Sequence, residues 1–164
     1  MFNLRHRRRL DTVLWIAAAA IAGALATDAA HARDRFDLAN PAYVAECGSC
    51  HVAYPPQLLS AGGWQSIMAA LDKHFGDNAA LDGKTTVALT QYLTANAGRG
   101  DKLGEAQRIS QTAWFTREHR RVPAATWGAA PVKSPANCQA CHAGADRGNY
   151  DEHAVRVPAA AATR

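Results

Sequence analysis

Cys47-Gly-Ser-Cys50-His51 and Cys138-Gln-Ala-Cys141-His142 are the stretches whose residue types and spacing could do chemistry. Each reads C-x-x-C-H, the attachment pattern of c-type haem. Two thiols three residues apart can each add to a vinyl group of one haem, and the histidine that follows then lies under the iron as an axial ligand. The two motifs use all four cysteines of the chain. One such motif could arise by chance. Two, with no spare cysteine in 164 residues, predict two covalently attached haem c groups that form much of the core.

Three other uses of the cysteines compete with that reading. A four-thiolate zinc site on Cys47, Cys50, Cys138 and Cys141 leaves His51 and His142 unexplained and supplies little core. A thioredoxin-like redox pair needs a βαβ setting, and no strand pattern surrounds either motif. A disulfide scaffold does not account for two tight pairs that each precede a histidine.

With haem in place, the remaining axial ligand of each iron decides between electron transfer and chemistry on a bound molecule. The candidates are His74, His119, His153 and Met68. His74 and His119 each close an apolar-faced helical stretch, which can set an imidazole against a haem face. His153 sits among Asp151, Glu152 and Arg156 in a polar tail. Met68 lies mid-face in an apolar helix, where packing is its expected role. His74 follows His51 by 23 residues and His119 precedes His142 by 23. Those separations favour pairing His51 with His74 and His142 with His119; the crossed pairing is also sterically feasible. With two histidines on each iron both sites are closed, and histidine supports a lower potential than a Met/His pair.

The elements that must position these residues read as helices. Asn40-Pro41 is a cap followed by a proline at the first helical position, so a helix from Pro41 is expected to deliver Cys47 to His51 near its end. Tyr54-Pro55-Pro56 breaks it, and a loop over 54–63 is expected against the haem edge. Trp64, Ile67, Met68, Leu71 and Phe75 keep the apolar spacing of one helix face, which predicts a helix over 64–75 stopped by Gly76. Asp82 caps a helix expected over 85–96, with Leu89, Tyr92 and Leu93 inward. A third helix is expected over 105–120, with Ile109, Ala113, Trp114 and Phe115 on its apolar side. Residues 122–135 read as a loop, and Ser134-Pro135 as the start of a short helix carrying the second motif. Trp64, Trp114 and Trp127 are expected to pack on porphyrin, with electron hopping as the alternative use. Arg117, Arg120 and Arg121 can pair with haem propionates or form a solvated helix end.

The N-terminus reads as an export signal. Arg5, Arg7, Arg8 and Arg9 precede the apolar run from Val13 to Ala26, and Ala30-His31-Ala32 is a small-x-small cleavage site. Cleavage before Arg33 is expected, with an earlier cut after Ala26 as the alternative. The run is short for a membrane span, and an uncleaved anchor is the competing reading. The chain after residue 32 keeps 14 basic and 12 acidic residues. Four haem propionates would bring that near neutrality, so no nucleic-acid partner is implied, nor stable membrane insertion after cleavage.

Trp64-x-x-Ile67-Met68-x-x-Leu71-x-x-His74-Phe75-Gly76, Thr112-x-Trp114-Phe115 with His119, and Asn137-Cys138-x-x-Cys141-His142 together resemble the small dihaem cytochrome c family. The resemblance runs from about Tyr43 to Pro158. It implies bis-histidine ligation of both haems, with His74 and His119 as the second ligands, and an electron-carrier role in the bacterial periplasm. It also implies redox partners. Some members donate to a small oxygen-binding monohaem cytochrome, the sphaeroides haem protein, and some are associated with a membrane cytochrome b that would feed them. His153 has no place in the pattern.

These readings combine into one expectation: a mainly α-helical c-type cytochrome, compact around two covalent haems, with little or no sheet. Residues 1–32 would be the signal peptide, 33–100 the region of the first haem, 101–158 that of the second, and 159–164 a frayed tail. The function expected is periplasmic electron transfer between redox partners, without bond-making on a substrate. The alternative is a haem enzyme or gas-binding cytochrome, peroxidase-like, with one five-coordinate iron.

Overall fold

Asn40 starts the first helix of the computed structural model, which describes residues 35–158. The expected signal peptide and the tail over 159–164 lie outside the described residues. The Asn40 side chain accepts the Tyr43 N–H at 3.0 Å, and Pro41 occupies a position whose N–H would have had no helical partner. This helix, α1, spans Pro41–Cys47 and is closed at Gly48, whose N–H donates to the Val44 carbonyl. It ends at the first cysteine of the motif rather than carrying the motif, so Cys50 and His51 lie in the turn beyond it.

Ser60 caps α2, Ala61–Met68, by accepting the Gly63 N–H. The expected loop over 54–63 is therefore shorter, and it contains a 3-10 turn at Pro56–Leu58. The helix expected over 64–75 stops at Met68. Ala70 leaves helical space at φ −136, and the chain rewinds as a 3-10 turn over Leu71–Lys73. Phe75 at φ 53 and Gly76 at φ 112 then reverse it. The glycine accepts that left-handed backbone without the Cβ penalty.

Asp82 caps α3, Gly83–Ala95, through the N–H groups of Lys84 and Thr85. α2 and α3 pack on each other. Tyr43, Leu59, Trp64, Ile67, Met68, Leu89 and Leu93 form a buried cluster between and beside them. Burying a side chain of this size contributes about 2 kcal/mol, so this part has a protein core of its own. Gly98 donates its N–H to the Leu59 carbonyl at 2.8 Å. A Cβ there would collide with the Gln57 carbonyl, so only glycine permits that approach.

Past residue 100 the helices shorten. The helix expected over 105–120 is a 3-10 turn at Ile109–Gln111 followed by α4, Ala113–Glu118. Between them Thr112 is extended, with φ −69 and ψ 146. Its hydroxyl donates to the Ile109 carbonyl at 2.9 Å and accepts the Phe115 N–H at 3.0 Å. That cap makes a new start where periodicity suggested one continuous helix. Phe115 is the buried residue of α4, while Ala113 is exposed and Trp114 half-buried. The expected loop over 122–135 contains a short helix, α5, Ala124–Gly128. The second motif begins on a 3-10 turn, Cys138–Ala140, not on an α-helix. Two more 3-10 turns, Ala145–Arg147 and Glu152–Ala154, follow it.

The described chain is helical, and its β structure is limited to isolated bridges such as His74–Asp77 and Gly144–Asn149. From Phe36 onward it forms one unit. Phe36 donates its N–H to the Gly148 carbonyl at 2.9 Å and packs edge-on against Tyr150, clasping the start of the described chain to its end. Among the described residues the ion pairs join sequence neighbours at the surface, as in Arg117–Glu118 and Arg147–Asp146. Such pairs add little. Thr112→Ala removes the cap of α4 and is expected to lower stability by about 1 kcal/mol, read as a lower urea midpoint with an unchanged slope.

Candidate haem-binding sites

His51 and His74 come together on the N-terminal part. Their ring centres are 6.2 Å apart and their planes make an angle of 21°. The His51 ring is fixed on one edge by its Nδ1, 2.8 Å from the Val52 carbonyl. One face stacks on Tyr54, with ring centres 4.6 Å apart and planes within 17°. His74 follows the 3-10 turn that replaces the end of the expected helix, and it is held there by the Asp77 N–H bonding to its carbonyl at 3.0 Å. Burial first, and then the neighbouring His51, hold the His74 imidazole below its ordinary pKa. That favours the neutral ring a metal ligand requires.

His119 and His142 form a second pair on the C-terminal part. Their ring centres are also 6.2 Å apart, with planes at 75°. His119 is the residue that closes α4. Its Nδ1 lies 2.9 Å from the Phe115 carbonyl, and its ring lies flat on Phe115 at 3.9 Å. Trp127, from α5, tilts against both His119 and Phe115 at 5.8 Å. His142 follows the turn of the second motif, its N–H bonded to the Cys138 carbonyl at 2.8 Å, and Tyr150 packs on it at 5.2 Å.

Those separations test whether the residues fit a haem. A first-row metal binds an imidazole nitrogen at about 2 Å. The ring centre lies about 1 Å beyond that nitrogen, so imidazoles on opposite faces of one iron have centres about 6 Å apart. Both pairs meet that spacing. In both His51 and His119 the Nδ1 faces a backbone carbonyl, which leaves Nε2 as the free ligating atom.

Each pair has its cysteines beside it. Cys47 is half-buried at the end of α1, and burial, followed by the charge of Glu46, pushes its thiol up to about 11. Cys138 is likewise pushed up to about 11 by burial, and burial raises Cys141. A cleft of about 250 Å³ lies between the two motifs, lined by Val44, Cys50, His51, Gln139 and Asp146 among others. The Tyr54 hydroxyl crosses between the two regions and donates to the Ala136 carbonyl at 2.7 Å. Burial, with Cys138 as the lesser cause, pushes that hydroxyl up to about 12, so it remains a donor through the neutral range.

The other expected residues lie elsewhere. Met68 is buried in the cluster between α2 and α3. His153 is exposed on the last 3-10 turn. Trp64 is buried in that same cluster and donates its Nε1–H to the Pro56 carbonyl at 2.7 Å. Arg117 pairs with Glu118, and Arg120 donates to the Arg117 carbonyl at 2.9 Å. Reading the sequence missed Val52 and Tyr150, and it gave Tyr54 only as part of a loop and Phe115 only as an apolar helix residue, neither as a support for a histidine ring. Tyr54 had a signal, as an aromatic residue three positions beyond His51 and ahead of two prolines; Val52 acts through its backbone and leaves none.

A fold of short helices that twice brings a C-x-x-C-H histidine opposite a second histidine defines a c-type cytochrome with two haems. Residues 43–150 match the dihaem cytochrome c family, and the chain belongs to it. Its cofactors are therefore two covalently bound haem c groups. The chain is similar to a dihaem cytochrome type c from Shewanella baltica OS155. The two are 41% identical with a TM-score of 0.65, over 73% of this chain and 94% of that one. It is also similar to a dihaem cytochrome c from Rhodobacter sphaeroides, in one structure at 40% identity and TM-score 0.62, over 69% of this chain and 98% of that one. A second Rhodobacter sphaeroides structure gives 38% and 0.63, over 70% and 99%. No curated protein sequence matches the chain. Among the described residues no helix is long and apolar enough to cross a membrane.

Phe115→Ala removes the surface on which His119 lies and leaves a cavity at a residue only 8% exposed. The expected loss is about 3 kcal/mol, checked by denaturant unfolding of the haem-loaded protein.

Proposed function

We propose that this dihaem cytochrome carries electrons between redox proteins and does no bond-making on a substrate. In this reading Cys47 and Cys50 would hold the first haem, and His51 and His74 would bind its iron. Cys138 and Cys141 would hold the second, with His142 and His119. The observation that carries it is the 6.2 Å separation repeated in both histidine pairs. It supports the local pairing over the crossed one, and each pair would supply two imidazoles to one iron. A bound haem supplies a one-electron couple, and two imidazoles keep that couple low-spin. The chain's own contribution is to hold the rings so that little moves when an electron arrives or leaves. The Val52 and Phe115 carbonyls fix two of the four imidazoles, and hydrogen bonding to a ligand's outer nitrogen raises its basicity.

The rest of the assignment follows from the same reading. The arginine-rich start, the apolar run and the Ala30-His31-Ala32 site support export to the periplasm. The partners are redox proteins: a membrane cytochrome b as donor and a small oxygen-binding monohaem cytochrome as acceptor.

The test is an optical and EPR spectrum of the oxidised and reduced protein, with carbon monoxide added to the reduced form. Two low-spin irons that ignore carbon monoxide are the expected result. A high-spin iron that binds it would overturn the bis-histidine assignment and favour a ligand-binding or enzymatic haem. His74→Ala and His119→Ala are each expected to open one iron, seen as carbon monoxide binding by half of the haem. Replacing Cys138 and Cys141 together by Ala is expected to lower the covalent mass by one haem.

A further inference from the structure

We propose that Tyr54 is a positioning residue for the first haem. It sets the plane of the His51 imidazole and ties that ring to the segment leading into the second attachment motif. The proposal rests on the bis-histidine reading above and adds a residue that makes no bond to either iron.

Two contacts carry it. The Tyr54 ring lies over His51 at 4.6 Å and within 17° of parallel, inside the range where aromatic faces attract. The Tyr54 hydroxyl donates to the Ala136 carbonyl at 2.7 Å, two residues before Cys138. The tyrosine is itself held, because its own carbonyl accepts the Tyr43 hydroxyl at 2.6 Å and Tyr43 is 1% exposed. Val52 fixes an edge of the His51 ring through one carbonyl, about which the ring can still rock. A stacked face removes that freedom. Tyr54 is thus pinned at both ends and presents a flat surface to a ligand ring, which is how an outer residue orients a metal-bound histidine.

The consequence is electronic. In a ferric low-spin iron the unpaired electron occupies two d orbitals whose splitting depends on the angle between the axial ring planes. Parallel rings load one orbital more than the other and separate them; perpendicular rings load both alike and leave them nearly equal in energy. The first pair stands at 21° and the second at 75°. The two irons should therefore give distinct EPR signals, the second with the larger spread of g values. Tyr54 is what holds the first at its small angle.

The experiment is EPR on the oxidised, haem-loaded full chain and on Tyr54→Phe and Tyr54→Leu. The wild-type signals are assigned with His119→Ala, which deletes the low-spin signal of the second iron. In Tyr54→Leu the first signal is expected to shift its largest g value while the second keeps its position. Tyr54→Phe keeps the stack and loses the anchor, so it should show a smaller shift in the same direction. If Tyr54→Leu does not load both haems, Tyr54→Phe carries the test alone. Two low-spin wild-type signals with neither moved in the variants would overturn the role of Tyr54 and leave the bis-histidine reading standing. Equal movement of both signals would also overturn it, as a general loosening. A high-spin wild-type iron would instead bring down the bis-histidine reading and this proposal with it.

Discussion

Two imidazole rings held about 6 Å apart, twice in one short chain, is the constraint on which the rest of this structure depends. Each of the four histidines lies at the end of a segment and none in a helix interior. His51 follows the closing of α1, His74 a 3-10 turn, His119 the last turn of α4, and His142 the turn of the second motif. A side chain within a helix is aimed by the helix axis. At a segment end the backbone can be bent to aim it, as the non-helical Ala70 does for His74 and the cap at Thr112 does for His119. The short, interrupted helices are the means by which four rings from separate stretches converge in pairs.

Packing is unequal along the chain. α2 and α3 bury a contiguous apolar cluster that includes Trp64, Leu89 and Leu93. Past residue 100 the buried apolar side chains are scattered: Leu103, Phe115, Val132 and Ala145. There the backbone is held by caps, tight turns and the clasp between Phe36 and Gly148.

Both C-x-x-C-H motifs and the helical class were legible in the sequence, because each rests on a short spacing or a strong period, and the two histidine pairs that the 23-residue separations favoured stand 6.2 Å apart. Asn40-Pro41 and Asp82 marked helix starts that the structure has. What the sequence concealed is where helices stop. Leu71, His74 and Phe75 keep the helical period past Met68, yet the chain leaves the helix at Ala70 and rewinds as a 3-10 turn that brings His74 toward His51. Thr112 was hidden for the same reason: a threonine inside an apolar period reads as an ordinary helix residue until its hydroxyl is seen capping Phe115. The ring supports Tyr54, Phe115 and Tyr150 could not be ranked from spacing, because they act across turns or over long separations; Tyr54 and Ala136 are 82 positions apart.

The uneven core bears on the biography of the chain. The part around α2 and α3 has a contiguous core of side chains to stand on, and the part past residue 100 has only scattered ones. Where few apolar side chains are buried, local opening costs less free energy. Proteases cut what opens. The stretch past residue 100, where few apolar side chains are buried, is thus where opening is cheapest and where cleavage would begin.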